Sequence, residues 1–382
     1  MAEHVVVIGA GPAGIASAYF LKQAHISYQV IDRAEVLAST WSDLYPSLRL
    51  NTTRFFSHLP GRKFPLSYGL FPTSQQYHRY LAAFVEQHAL NIQLGVNVRR
   101  AWPHDGGWCV DTSAGTSWHP AIISATGRFS KPYWPSIPGM DRFSGQLLHA
   151  HDYHGPEPFI GKRVMVVGNG PSGVDIATEL GRYAARPALL SQRTGVKLSP
   201  RYPWGLPKHV WMMIAEPLPD RLARPLLDKV LTMTFENLDA VGIKTPKTEA
   251  ESSAAGATRG AELIKAVKAG NVTSVDGPAC FEPDAVVLVD GSRHVVDAVI
   301  LATGYHPALF DYLDIDVGTN ADGWPIRVDE PPDDVTVGRR EVAGYPGLYL
   351  VGTFYQGKGA MYNINVEAQA AVEEIKRRLA SP

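Results

Sequence analysis

Two stretches of this chain space their glycines so that a backbone could close on a phosphate. The first, Gly9-Ala10-Gly11-Pro12-Ala13-Gly14, follows the apolar run His4–Ile8 and leads into a helical pattern, Ile15–Leu21. The second, Gly168-Asn169-Gly170-Pro171-Ser172-Gly173, lies between the apolar run Arg163–Val167 and the helical pattern Val174–Leu180. In such a strand–turn–helix unit the first glycine permits the tight turn and the second lets the backbone approach a pyrophosphate. The third lets helix and strand pack closely. The helix start then offers free N–H groups and a partial positive charge to the anion. Glycines also end strands for turn geometry alone, so the residue closing the next strand carries the meaning. Asp32 stands 18 residues past Gly14, where an acid takes a free ribose 2′-hydroxyl. Arg193 stands 20 residues past Gly173, flanked by Ser191 and Thr194, where an arginine accommodates a 2′-phosphate. The simplest assignment is FAD at the first turn and NADPH at the second. The bland alternative makes Arg193 a solvated strand-end charge.

The elements needed to hold these turns are readable around them. Continuous apolar runs such as Val5–Ile8 are those of buried parallel strands, and the pattern predicts an α/β fold with two Rossmann-like domains. Ala121–Gly127 and Ala298–Gly304 are apolar strands with the same Ala-Thr-Gly ending, and they bracket the second glycine turn. Ser74–Glu86 places Tyr77, Leu81, Phe84 and Val85 on one helical face. Trp102, Trp108 and Trp118 lie in short strands around the hairpin signal Asp105-Gly106-Gly107. Asp290-Gly291 signals another hairpin, and Glu262–Lys268 a helix. Prolines at 46, 60, 65 and 72 deny the intervening stretch long helices.

Composition narrows the function further. The chain has 382 residues with a formal net charge of −1, so the basic excess of a nucleic-acid-binding surface is missing. No apolar run approaches the roughly 18 residues of a membrane span. The first strand begins too early for a secretory signal. Cys109 and Cys280 are the two cysteines and form no CxxC. A soluble, cytoplasmic protein without a metal site or dithiol centre is expected, acting on a small molecule, and a homodimer is the assembly entertained.

Beyond the glycine turns, the sequence resembles class B flavin-dependent monooxygenases, the flavin-containing monooxygenase group. Trp41 follows the ribose acid, and Asn51-Thr52-Thr53-Arg54 matches the family's Asn segment. Phe143, Gly145, His149 and Tyr153 fill its fingerprint F-x-G-x-x-x-H-x-x-x-[YF]. Tyr153 in the last place resembles the heteroatom-oxygenating branch, where a Trp would suggest Baeyer–Villiger relatives. The chain departs from the family in carrying Ala38-Ser39 where two glycines are usual, and Thr353 where many relatives have an acid.

The resemblance implies a discontinuous FAD domain, residues 1–140 and 298–382, with the NADPH domain, 155–297, inserted into it. A helical insertion is expected at about 197–260, its Trp, Met and Leu side chains forming a small core or, alternatively, lining a substrate channel. It implies that NADPH reduces FAD, that O₂ adds at the flavin C4a, and that the peroxyflavin oxygenates a sulfide or amine, or a ketone by Baeyer–Villiger chemistry. Asn51 takes the catalytic role, its amide donating and accepting without titrating; an Asx turn is its plain alternative. The expected cofactor contacts are Gly9, Gly11, Pro12, Ala13, Gly14, Asp32, Arg33, Trp41, Leu50 and Gly352, and Gly168, Gly170, Pro171, Ser172, Gly173, Ser191, Arg193 and Thr194. The fingerprint loop, with His149 and His151, is expected to align domains. The terminal helix is expected to bury Val366, Ala370, Val372, Ile375 and Leu379. Two rivals remain: a non-oxygenating FAD-dependent NAD(P)H oxidoreductase and a non-catalytic nucleotide-binding redox sensor.

Overall fold

The computed structural model describes residues 4–185, 187–248, 257–320, 323–330, 338–353 and 358–380. The chain forms two compact units, Met1–Lys131 with Tyr305–Pro382, and Pro132–Gly304. The loop expected over Ser252–Gly256 lies outside the described residues.

The first unit is built on a five-stranded parallel sheet. Its order is Leu348–Leu350, Ile122–Ser124, Val5–Ile8, Tyr28–Ile31, Ile92–Gln93. The strand Val5–Ile8 is buried along its whole length, as a strand covered on both faces must be. One face packs on helices Pro12–Gln23 and Ser74–Gln87, through Ile15, Leu21, Tyr77, Leu81 and Phe84, and on the terminal helix Ala360–Ala380. Thr73 and Gln76 form a reciprocal capping box that starts the Ser74–Gln87 helix. The other face meets the antiparallel meander Val98–His104, Gly107–Thr112 and Gly115–His119, where Trp108 is fully buried.

The second unit repeats the scheme. Its parallel sheet has the order Val272–Asp276, Ala188–Gln192, Val164–Val167, Ala298–Leu301, Gln146–His149. The glycine-turn strand is again central, with the ribose-end strand on one side and the Ala-Thr-Gly strand on the other. A three-stranded antiparallel meander, Pro278–Phe281, Ala285–Leu288 and Arg293–Val295, again precedes the Ala-Thr-Gly strand.

The terminal helix departs from expectation, and two further features are placed more closely. The two compact units divide at 131/132 and 304/305, where 140 and 298 bound the expected first domain; Ala298–Leu301 pairs with Val164–Val167 in the second unit. The insertion holds helices Lys208–Ala215 and Asp220–Thr232, and its apolar side chains are divided, with Ala215, Ala223 and Val230 buried. Trp204, Met213, Ile214 and Leu222 are exposed by 48%, 43%, 42% and 54%. The terminal helix is rotated from the expected face: Val366 and Leu379 are exposed, while Ile364, Glu367, Ala368, Ala371, Val372, Glu374 and Ile375 are buried. Buried glutamates cause this rotation. Glu367 is 1% exposed and carries ion pairs to Arg340 at 3.3 Å and Arg327 at 3.9 Å, so two charges expected in water face inward, each hydrogen-bonded.

Candidate dinucleotide sites

Both glycine turns have the same steric logic. A Cβ added at Gly9 (φ +109°) or Gly168 (φ +136°) would overlap the carbonyl oxygen of Ala125 or Ala302. A Cβ at Gly14 or Gly173 would overlap the carbonyl of Gly9 or Gly168, one turn earlier. Gly11 and Gly170 differ, because a Cβ there would meet nothing within 4 Å. Their φ values of −79° and −76° suit any residue. The fold therefore requires the first and third glycines, and leaves open the space beside the second, where a pyrophosphate would lie. Pro12 and Pro171 open the two helices with no N–H to lose. The Ala-Thr-Gly echo also has its reason here: each motif ends the strand beside its glycine turn and lays an alanine carbonyl over the first glycine. The echo is visible in the sequence, but the contact it makes is not.

In the first unit the structure gathers most of the expected FAD contacts. Gly352 sits so close to Ala13 and Ile364 that a Cβ would fall 2.9 Å from Ala13 Cβ. The start of the terminal helix thus meets the start of the Pro12–Gln23 helix. Gly359, just before the terminal helix, packs on Thr52, which brings in the segment of Asn51. Leu50 is buried, Asn51 is exposed, and Thr53 is fully buried with no hydrogen-bond partner for Oγ1 among the described residues. An orphaned buried hydroxyl two residues from Asn51 fits a segment shaped for a polar ligand. Trp41 is half-buried and meets the Tyr77 ring edge-on at 4.6 Å; the Tyr77 hydroxyl reaches Met361 Sδ at 2.9 Å. Ala38, where the family has glycine, takes a left-handed conformation (φ +49°) all the same. The Asp32 carboxylate accepts from Ala10 N–H at 2.6 Å and Ala34 N–H at 2.8 Å, joining the strand end to the glycine turn. Arg33 beside it is exposed.

Glu367, which sequence reading overlooked, holds the turn after the last strand. It accepts from Gly352 N–H at 2.7 Å, Thr353 N–H at 3.2 Å and the Thr353 hydroxyl at 3.1 Å. The carboxylate that this turn lacks at Thr353 therefore comes from the helix. The signal available in sequence was weak, since Glu367 sits among apolar residues at a spacing that also suits a solvated face.

In the second unit, Arg193 is exposed at the end of Ala188–Gln192 and makes no ion pair among the described residues. Ser191 is fully buried, and its hydroxyl donates to the Asp276 carbonyl at 2.7 Å. Asn169 of the glycine turn donates to Thr194 Oγ1 at 3.1 Å and Gly195 O at 2.5 Å, clasping the Arg193 segment to the turn. The fingerprint residues brace this unit. Phe143 packs edge-on against Phe281 at 5.5 Å, and Gly145 leaves room for the Phe143 ring. His149 Nδ1 accepts from His151 N–H, so Nε2 carries the proton and donates to Gly304 O at 3.1 Å. Burial pushes the His149 pKa below its ordinary value, against the opposing hydrogen bond to Gly304. The Tyr153 hydroxyl donates to Glu179 on the helix Pro171–Leu180 at 2.7 Å. Cys109 and Cys280 are free thiols.

Two glycine-turn units, one ending in an acid and one in an arginine, define a flavoprotein oxidoreductase with a second, nicotinamide-type dinucleotide site. A family model described as pyridine nucleotide-disulphide oxidoreductase matches residues 6–204. A probable indole-3-pyruvate monooxygenase from Arabidopsis thaliana (YUCCA7) is 30% identical over 377 residues, covering 93% of this chain and 83% of that protein. A flavin-containing monooxygenase structure from Stenotrophomonas maltophilia is 25% identical, with a TM-score of 0.73 and 99% of each chain covered. A cyclohexanone monooxygenase structure from Rhodococcus sp. Phi1 bound to NADP⁺ shares the fold, with a TM-score of 0.69 over 98% of this chain and 84% of that one, at 17% identity. The chain belongs to the pyridine nucleotide-disulphide oxidoreductase family and, within it, to the class B flavin-dependent monooxygenases. It is an NADPH-dependent enzyme that uses FAD and NADPH, with O₂ and a small molecule as substrates. Among the described residues, no helix is long and apolar enough to cross a membrane.

Proposed function

We propose that the enzyme oxygenates soft nucleophiles, sulfides or amines, with FAD held at Gly9–Gly14 and Asp32 and NADPH at Gly168–Gly173 and Arg193. The observation that carries the cofactor assignment is the open space beside Gly11 and Gly170, paired with opposite charge at the two strand ends, while the sulfide and amine substrates rest on the Tyr153 resemblance to the heteroatom-oxygenating branch. Asp32 suits the two hydroxyls of an unphosphorylated ribose, and Arg193 a 2′-phosphate. The bound flavin, once reduced, supplies the activation of O₂.

The protein's own part is to bind, orient and keep water out. The N–H groups at the start of Pro12–Gln23 would hold the pyrophosphate. The start of the terminal helix, fixed by Gly352 and Glu367, would offer the positive end of its dipole to a bound flavin and favour negative charge there. Asn51 would give the reacting oxygen an amide that can donate and accept without transferring its own proton. His149, kept neutral and locked to Gly304, braces the second unit and takes no acid–base role. The unit division 131/132 and 304/305 then corresponds to an FAD unit in two chain segments and an NADPH unit between them.

The test is NADPH oxidation with and without thioanisole, with product analysis. Sulfoxide formed in step with NADPH consumption supports the proposal; NADPH oxidation that no substrate couples would leave a reductase or oxidase. A second reading follows from the 30% identity to an indole-3-pyruvate monooxygenase, and indole-3-pyruvate belongs in the same assay. Turnover of it without sulfoxide formation would favour that reading.

A further inference from the structure

Beside Arg193 lies an acid that a phosphate site would not be expected to keep. Asp276 ends the strand Val272–Asp276 and is paired in register with Gln192, the residue before Arg193. Its carbonyl takes the Ser191 hydroxyl, and a Cβ on the next residue, Gly277, would touch Arg193 Cα at 3.4 Å. A carboxylate in this place would repel the 2′-phosphate that Arg193 attracts. Lys244 neutralises it through an ion pair with Asp276 in which both side chains are largely buried, exposed by 27% and 31%.

The lysine is held there by its own backbone. Val196 N–H donates to Lys244 O at 2.9 Å, and Lys244 N–H donates to Ser274 Oγ at 3.2 Å. Thr245 is tied to Asp239 through its hydroxyl at 2.5 Å, and Gly195 leaves no room for a side chain against Thr245. The segment carrying Lys244 is therefore fastened to the turn that follows Arg193. An exposed surface pair would be worth little, but this one is half-desolvated at the edge of an anion site.

We infer that Asp276 and Lys244 form a specificity-determining pair for the 2′-phosphate: Asp276 opposes the phosphate, and Lys244 cancels that opposition by holding the carboxylate. The inference rests on the reading of Arg193 as the 2′-phosphate ligand. Cofactor preference then depends on a charge balance across two strands, and not on Arg193 alone.

The experiment is calorimetric titration of the FAD-loaded protein with 2′,5′-ADP and with 5′-AMP at fixed ionic strength. The proteins are the parent, Lys244→Met, Asp276→Asn, the double variant and Arg193→Ala. Lys244→Met should weaken 2′,5′-ADP binding about 5- to 20-fold, because an uncancelled, partly screened carboxylate then opposes the phosphate, and leave 5′-AMP within about twofold. Asp276→Asn should bind 2′,5′-ADP as well as the parent or better, and it keeps the inference testable if Lys244→Met fails to fold. The double variant should return to within about threefold of the parent, because no uncancelled carboxylate remains. A double variant as weak as Lys244→Met, or an Asp276→Asn protein weakened tenfold, would overturn the pair. If Arg193→Ala leaves 2′,5′-ADP binding unchanged, the underlying site assignment fails, whatever the other variants show.

Discussion

Gly11 and Gly14 give a test in which fold and cofactor separate. Both lie in one turn, yet a methyl at Gly14 would overlap the Gly9 carbonyl, while a methyl at Gly11 would meet nothing within 4 Å. With φ at −79°, Gly11→Ala is unstrained, and the stiffer unfolded chain should even stabilise the apoprotein by about 0.4–1 kcal/mol. Any loss must then come from the dinucleotide. A methyl forced into a filled contact costs about 1–3 kcal/mol, so FAD affinity should fall roughly 5- to 150-fold, and further for Gly11→Val. Gly14→Ala should instead push the helix Pro12–Gln23 off its strand and lower the apoprotein's own stability by about 1–3 kcal/mol. The assay pairs thermal unfolding of the flavin-stripped proteins with equilibrium dialysis of FAD. A Gly11→Ala protein that keeps FAD affinity within twofold, or that unfolds as early as Gly14→Ala, would refute the reasoning.

Arg193→Ala should raise the KM for NADPH about 10- to 150-fold, the loss of one charge-assisted contact of about 1.5–3 kcal/mol, with NADH little changed; steady-state kinetics with both cofactors checks this. Asn51→Ala should bind FAD and consume NADPH near the parent's rate, but release hydrogen peroxide and make up to ~100-fold less oxygenated product. A peroxide assay beside product analysis reads it, and unchanged coupling would make Asn51 a turn residue. The Arg163 side chain, and then its backbone N–H, hold the Asp297 pKa down to about 2, from an ordinary 3.8. Because the folded pKa is depressed, the stabilisation is complete above about pH 4 and is lost as pH falls toward 2. The pair is 38% exposed on both sides, so solvent screening should keep its contribution small. Melting curves of Asp297→Asn and the parent should differ slightly at pH 7 and converge on acidification; a gap that widens toward pH 3 would reverse the sign.

What the sequence made legible is what obeys local rules. The strands Val5–Ile8 and Tyr28–Ile31, both glycine turns and the capped helix Ser74–Gln87 appear where apolar runs, glycine spacing and period predict them. The reach of Gly352, Thr52 and Gly359 into one place was not legible, because those contacts join residues about 300 positions apart. The terminal helix shows the limit most clearly. The usual rule puts its glutamates in water, but Arg327 and Arg340 come from a segment without periodicity and draw Glu367 and Glu374 inward. Lys244 gave no signal for the same reason, since its partner Asp276 is 32 residues away and lies on another strand.

The pairing of Ile122–Ser124 with Leu348–Leu350, and the packing of Ile364, Ala368 and Ile375 in the first unit's core, set an order of events on the ribosome. When residue 131 has been made, the first unit still lacks an edge strand and a helix that lie more than two hundred residues ahead. At about 5–20 residues per second, that wait lasts roughly 10–50 s. The second unit, contiguous from 132 to 304, has all its strands before then. The part of the enzyme synthesised first is the part completed last, with an open strand edge to be protected in the meantime. Nascent chains arrested near residue 340 should therefore already protect Val164–Val167 from proteolysis, while Ile122–Ser124 becomes protected only once Leu348–Leu350 has emerged.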